Sequence, residues 1–486
     1  MATTILVCFV LYTSLLFLIT RITSRRASND SFFRGDRKSP WYVVAYGMIG
    51  ASLSGVTFMS VPGGVYSGQF TYFPLVLGYI LGYLAIAYVL LPLYYKLNLT
   101  SIYSYLGDRI GLVSEKTGSM FFIISRLLGS ALRMYLVVFV LYEFMFKLWN
   151  IPFWIPAVVF IVLILAYTLK GGIKTIIWTD TLQTTFLLLA AIITLIYVLK
   201  EMDFSLWQMV EKMTLNEQYK VFETDWHSSK FYLKQILSGA FITITMTGLD
   251  QDMMQKNLTC KSLKDAQKNM ISFSLSLVVV NVLFLLLGGA LVLYAQQTGF
   301  ALPTNADGVV VNDKIFPSIA FHLTTFTSVV FVVGLIAAGY SSADGTLTAL
   351  TTTFYHDFLH FDKNNKYTEK QKIRFRKIVH ISFAFLYLLI IIAFKPFHNQ
   401  SLIDTLFDVA AYTYGPLLGL YAFGMFTKQQ VKDKYVPIVA ILSPVICYIL
   451  NLNSVEWFGG YKFGFEMILL NGLLTCLGLL IIRKRK

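Results

Sequence analysis

The stretch AAGYSSADGTLTAL, residues 337–350, lies inside an apolar run and yet carries Ser341, Ser342 and Asp344 close together. Hydrocarbon offers a polar group no partner, so in a membrane these side chains must find one inside the protein. Positions three and four apart share a helix face, so Ser341 and Ser342 look the same way as Ala338. Hydroxyl and carbonyl oxygens suit a hard cation such as sodium. Small and hydroxylated residues also let helices pack closely, and the stretch by itself allows either role.

The surrounding chain narrows the choice. Its 486 residues are 56% hydrophobic and 14% charged, with a mean hydropathy of +0.64. That is the composition of a polytopic membrane protein. Thirteen apolar spans are long enough to cross a bilayer: 2–22, 41–68, 72–95, 117–146, 152–169, 175–199, 233–254, 267–296, 318–355, 376–394, 402–426, 435–452 and 463–482. The first span has no preceding basic region and no cleavage site, so it reads as a retained helix rather than a signal peptide.

Most of the 40 basic residues fall in alternate loops. Arg21, Arg25, Arg26, Arg34, Arg37 and Lys38 follow the first span, Lys256, Lys261, Lys264 and Lys268 the seventh, and a group from Lys363 to Lys377 the ninth. This bias predicts an N-terminus outside and a C-terminus in the cytoplasm. The net charge of +14 is therefore a positive-inside signature and not a nucleic-acid surface. The loop 201–231 has room for a short amphipathic helix. Cys8, Cys260, Cys447 and Cys476 show neither metal spacing nor a disulfide framework.

Two further features carry chemistry. The second span, YGMIGASLSGVTFMSVPGGVYSGQF (46–70), is interrupted by Gly50, Ser52, Ser54, Gly55 and Pro62. Glycine and proline weaken a helix midway, and a broken helix at membrane depth frees carbonyls toward a cavity. A kinked packing helix is the plainer alternative. Arg133 stands near the middle of the fourth span, with Arg126 two turns earlier. An arginine at that depth faces a cavity or an internal partner, such as Asp180. Its fork matches a carboxylate, which points to an anionic solute.

Four segments in this order make the chain resemble the sodium:solute symporter family: SLSGVTFMSVPGG (52–64), GGIKTIIWTDTLQ (171–183), GLDQDMMQKNLTCKS (248–262) and AAGYSSADGTL (337–347), with GPLLGL (415–420) as a weaker fifth. The resemblance implies an all-α membrane fold with thirteen helices and a LeuT-type five-plus-five inverted repeat. Residues 1–486 would then form one transporter domain. Residues 1–40 would be the first helix and a basic inner loop, 41–200 and 233–426 the two repeats, and 427–486 two C-terminal helices. It also implies alternating access and a principal sodium site made of Gly50, Leu53 and Ala338 main-chain oxygens with the Ser341 and Ser342 hydroxyls.

Some members hold a second sodium with the aspartate of the TD motif, here Asp180, and two hydroxyls one turn beyond the serine pair. Those two positions are Asp344 and Gly345 in this chain, a departure that leaves Asp180 with Asp344 as the candidate second site. The phrases VTFMSVP and YTLKGGIKTIIWTD are similar to the family's sialic acid transporters. There an arginine of the fourth helix holds the sugar acid, which implies Arg133, with Ser54 and Thr57 beside it and Met246 on the cavity wall. The function implied is sodium-driven import of a carboxylated solute, sialic acid in particular, across the inner (plasma) membrane by a monomer in the lipid bilayer. A sugar, an amino acid or a monocarboxylate is the alternative solute. A membrane-embedded transferase would need a catalytic cluster that the chain does not display, and a sensor that kept the fold would need a signalling domain.

Overall fold

In lipid the backbone must satisfy its own polar groups, and a chain this apolar does so by coiling into helices. In the computed structural model the described residues, 2–25, 28–215, 219–305, 307–361, 367–394 and 402–484, contain helices and isolated bridges but no strand. Arg26, Lys363 and Lys366, three of the basic loop residues, lie outside them.

Nine of the described helices are long and apolar enough to cross a membrane. They include α1 (Ala2–Thr23), α5 (Leu112–Phe144), α6 (Trp154–Gly171), α7 (Ile173–Glu201), α11 (Leu263–Thr298), α13 (Thr325–Thr353) and α14 (Glu369–Ala393). A broken pair, α2 (Trp41–Ser52) and α3 (Gly55–Gly68), bends by 61° and fills the second expected span. α4 (Phe73–Ala85) runs on through a π turn to Lys96, and α16 (Val436–Leu452) lies near the end of the chain. The seventh, eleventh and thirteenth spans correspond to α9 (Tyr232–Thr243) with α10 (Gln251–Asn257), to α15 (Leu402–Phe426) and to α17 (Met467–Ile481). These helices are compatible with thirteen crossings. The amphipathic helix of the 201–231 loop is α8 (Leu206–Leu215), which buries Met209 and Met213.

Two expected spans are divided. The ninth, expected over 318–355, splits at Thr324, which ends α12 (Asn312–Leu323) and caps α13 through reciprocal bonds with Thr327. The seventh, expected as one helix over 233–254, stops after a π turn at Ile244–Gly248. Asp250 then caps α10 by accepting from the Met253 amide at 3.2 Å. Every residue of α10 is buried, including Lys256. The expected place of Lys256 in a basic loop is thus corrected: it belongs to a polar helix packed inside the bundle.

The α6–α7 corner needs its glycine. Gly172 adopts φ +52°, and a Cβ there would meet the Phe32 ring at 2.5 Å. This corner starts α7, which packs against both α2 and α13 and so places Asp180 beside the two unusual stretches of the chain.

Candidate functional site

The helix break supplies the first part of the site. Ser52 ends α2, Leu53 leaves helical geometry at φ −84° and ψ 72°, and Ser54 is extended before α3 begins. Gly50 lies against α7, where its amide donates to Thr184 Oγ1 at 3.0 Å. A Cβ on Gly50 would overlap that hydroxyl at 2.3 Å, so glycine sets the α2–α7 spacing. α2 also packs on α13, which presents Ala338, Ser341 and Ser342, all fully buried. Ser341 Oγ donates to Asp180 Oδ1 at 2.9 Å. Ser342 Oγ is buried without a hydrogen-bond partner. A buried hydroxyl left unpaired costs about 1–3 kcal/mol, so an oxygen ligand is available there.

Behind the serines lies an ion network that the chain order does not advertise. Arg126 of α5 pairs with Asp252 and reaches Asp250 at 3.5 Å. Tyr414 also donates to Asp250, at 2.6 Å. Lys256 Nζ stands 2.9 Å from Asp180 Oδ2 and 3.5 Å from Asp252 Oδ1. Asp344 accepts from Tyr167 at 2.8 Å, from Gln183 at 3.4 Å and from the Gly345 amide at 2.6 Å. Charges this deep persist because they are paired or hydrogen-bonded. The signal for Lys256 was present: Asp252 and Lys256 are four apart on one helix face, just after a Gly-Leu-Asp start. Its basic character alone suggested a loop.

The network borders a cavity of about 80 Å³. Leu53, Thr57, Arg133 and Met246 line it, together with Tyr72, Asn281 and Phe407. Three of the four expected solute contacts therefore line one cavity, whereas Ser54 is not among the lining residues. Arg133 makes no ion pair among the described residues, and its Nε has no hydrogen-bond partner. Asp180, the internal partner considered for it, is engaged by Lys256 instead. Tyr72 and Phe407 also line a larger cavity of about 270 Å³ toward the 202–231 loop, with Lys230, Asp404 and Asp408 on its walls. The two residues thus stand between the cavities. Phe58, by contrast, is packed among Phe284, Phe316 and Phe331.

Residues 32–433 match the pattern of the sodium:solute symporter family. The chain belongs to that family. It is a multi-pass membrane transporter whose coupling ion is sodium. The symporter is 26% identical over 443 residues to the sodium/sialic acid symporter SiaT of Proteus mirabilis, covering 87% of this chain and 85% of that protein. It is 25% identical over 470 residues to the sodium/sialic acid symporter NanT of Aliivibrio fischeri, covering 93% and 88%. A solved Na⁺-coupled sialic acid symporter, substrate-bound and outward-open, superposes with a TM-score of 0.83 at 22% identity and covers 99% of each chain. The nucleobase-cation symporter Mhp1 shares the fold more distantly, with a TM-score of 0.56 at 14% identity.

At the end of the symporter opposite the larger cavity, the helices are fastened together. Asp357 Oδ2 accepts from Ser101 and from Ser119, each at 2.7 Å. Gln251 bridges to the Ile102 amide at 2.9 Å and to the Thr100 carbonyl at 2.7 Å. Tyr421 reaches the Ile102 carbonyl at 2.7 Å, and Asp433 accepts from the first amides of α5. One end is therefore closed by polar bonds while the other keeps its larger cavity.

Proposed function

We propose that this symporter imports sialic acid, or a sugar acid of the same size and charge, driven by sodium. The observation that carries the reading is Arg133: a guanidinium in a cavity wall, 8% exposed, with no ion pair among the described residues. A buried cation without a partner is expensive, and a solute carboxylate would supply the missing charge through a two-point bond. Thr57 and Met246 line the same cavity. The names of the two curated bacterial relatives support the same solute.

Sodium would bind at the Gly50, Leu53 and Ala338 carbonyls and the Ser341 and Ser342 hydroxyls. The partnerless Ser342 hydroxyl fits an oxygen-seeking ion, and the broken α2–α3 pair fits the need for free carbonyls. The ion would join the broken helix to α13 and favour the form open toward the 202–231 loop, here taken as the outside. Solute affinity would rise with it, and by linkage the solute would tighten sodium. The small cavity would widen as Tyr72 and Phe407 part, the solute would enter, and those residues would close behind it. The Asp357 and Gln251 bonds would then break, releasing both cargoes into the cytoplasm. Residues 41–200 and 233–426 would be the two repeats that move against each other, with the N-terminus outside and the C-terminus inside.

The test is uptake of labelled N-acetylneuraminic acid into proteoliposomes with an inward sodium gradient, against potassium in its place. Accumulation that needs sodium supports both cargoes. Sodium-driven uptake of a monocarboxylate or a neutral sugar, but not of sialic acid, would move the solute assignment.

A further inference from the structure

We infer that Lys256 is a tethered cation that takes the place of a second sodium, so that the symporter moves one sodium per cycle. The inference rests on the sodium-symport reading above. Asp180 has two oxygens, and both have a neighbour on α13 or α10: Oδ1 accepts from the Ser341 hydroxyl at 2.9 Å, and Oδ2 forms an ion pair with Lys256 Nζ at 2.9 Å without a hydrogen bond. Lys256 is 1% exposed and is anchored a second time by Asp252, four residues earlier on its own helix. A sodium at Asp180 Oδ2 would have to expel this ammonium, and the dry surroundings would leave the displaced charge with Asp252 alone.

The other groups around Asp180 are equally unsuited to a second ion. Residue 345 is glycine, and the volume its side chain would take belongs to the Asp252 carboxylate, which would lie 2.3 Å from a Cβ. A hydroxyl ligand has no room there. Asp344 has both oxygens engaged by donors, from Tyr167, Gln183 and the Gly345 amide. The Ser341–Ser342 site next to Asp180 is where the one sodium would sit.

With one sodium, a monoanionic solute would cross as a neutral pair. Uptake would then follow the sodium gradient and ignore the membrane potential. The experiment uses the purified full chain in proteoliposomes and measures the ratio of labelled sodium to labelled N-acetylneuraminic acid taken up, with and without an imposed potential. Sodium binding without solute is followed in parallel by the shift in thermal stability. The expected results are a flux ratio near one, a Hill coefficient near one and no response to potential. A ratio or Hill coefficient near two, or potential-driven uptake, would overturn the inference while leaving symport intact. No effect of sodium on either readout would instead remove the symport reading. Lys256→Gln should raise the flux ratio toward two and make uptake respond to potential, whereas Lys256→Arg should stay near one. A ratio of one in a folded Lys256→Gln variant would also overturn it, and if that variant does not fold, the wild-type ratio decides.

Discussion

Replacing Arg133 by glutamine separates a solute-binding charge from a structural one. Arg126 and Arg133 lie two turns apart on α5 and are both buried, yet their surroundings differ. Arg126 balances Asp250 and Asp252, whereas Arg133 has no ion pair among the described residues. Removing one member of a buried pair typically costs about 3–5 kcal/mol, because the other charge is left alone. Arg126→Gln should therefore lower thermal stability sharply. Arg133→Gln strands no carboxylate, so stability in the absence of solute should hold or rise slightly. Its cost appears only when the solute carboxylate arrives, at about 2–3 kcal/mol for a lost charge-assisted pair, or roughly 30- to 150-fold in affinity. Thermal denaturation of the purified variants with and without N-acetylneuraminic acid, together with binding calorimetry, reads both quantities. If Arg133→Gln binds within about threefold of wild type, or loses as much stability as Arg126→Gln, the assignment of Arg133 to the solute is wrong.

Other outcomes follow from the same geometry. Ser342→Ala removes an unpaired hydroxyl and should raise the sodium concentration for half-maximal uptake several-fold, about 1 kcal/mol of lost coordination; an unchanged sodium curve would take Ser342 out of the site. Gly345→Ser would drive its Cβ into the Asp252 carboxylate and should cost about 1–3 kcal/mol, seen as a lower melting temperature; full stability would mean the network is looser than it looks. Burial pushes the Cys260 thiol up to about 12, so it should resist maleimide at neutral pH while the Asp357 end is closed. Asp357→Asn should weaken that closure and speed labelling, and fast labelling of the wild type in sodium would contradict a sealed end.

The membrane class, the broken second helix and the serine pair were legible because each departs from the apolar background in a way that hydrocarbon penalises. Arg133 stood out for the same reason. The two divided spans were not legible. Thr324 is one hydroxylated residue among many, and only its capping bonds turn it into a boundary. α10 was hidden for a different reason. A lysine near the end of an apolar run reads as the start of a loop, and only the folded chain brings Asp180 of α7 to pair with it beside Asp252 of its own helix. Ser54 illustrates the reverse: it is extended at the break and is absent from the lining of the cavity that Leu53 and Thr57 border.

The buried helix α10 also bears on how the protein is made. Asp252 and Lys256 would each oppose insertion by about 2.5–3.5 kcal/mol at mid-membrane, and a seven-residue segment carries too little apolar surface to offset them. Its partners Arg126 and Asp180 are synthesised before it, but α13, which packs over it, follows some seventy residues later. During synthesis this segment must therefore wait at the membrane surface, or in the translocon, until the second half of the chain can enclose it. Chains arrested between α11 and α13 should keep Lys256 accessible to amine-reactive label, and chains released after α13 should not.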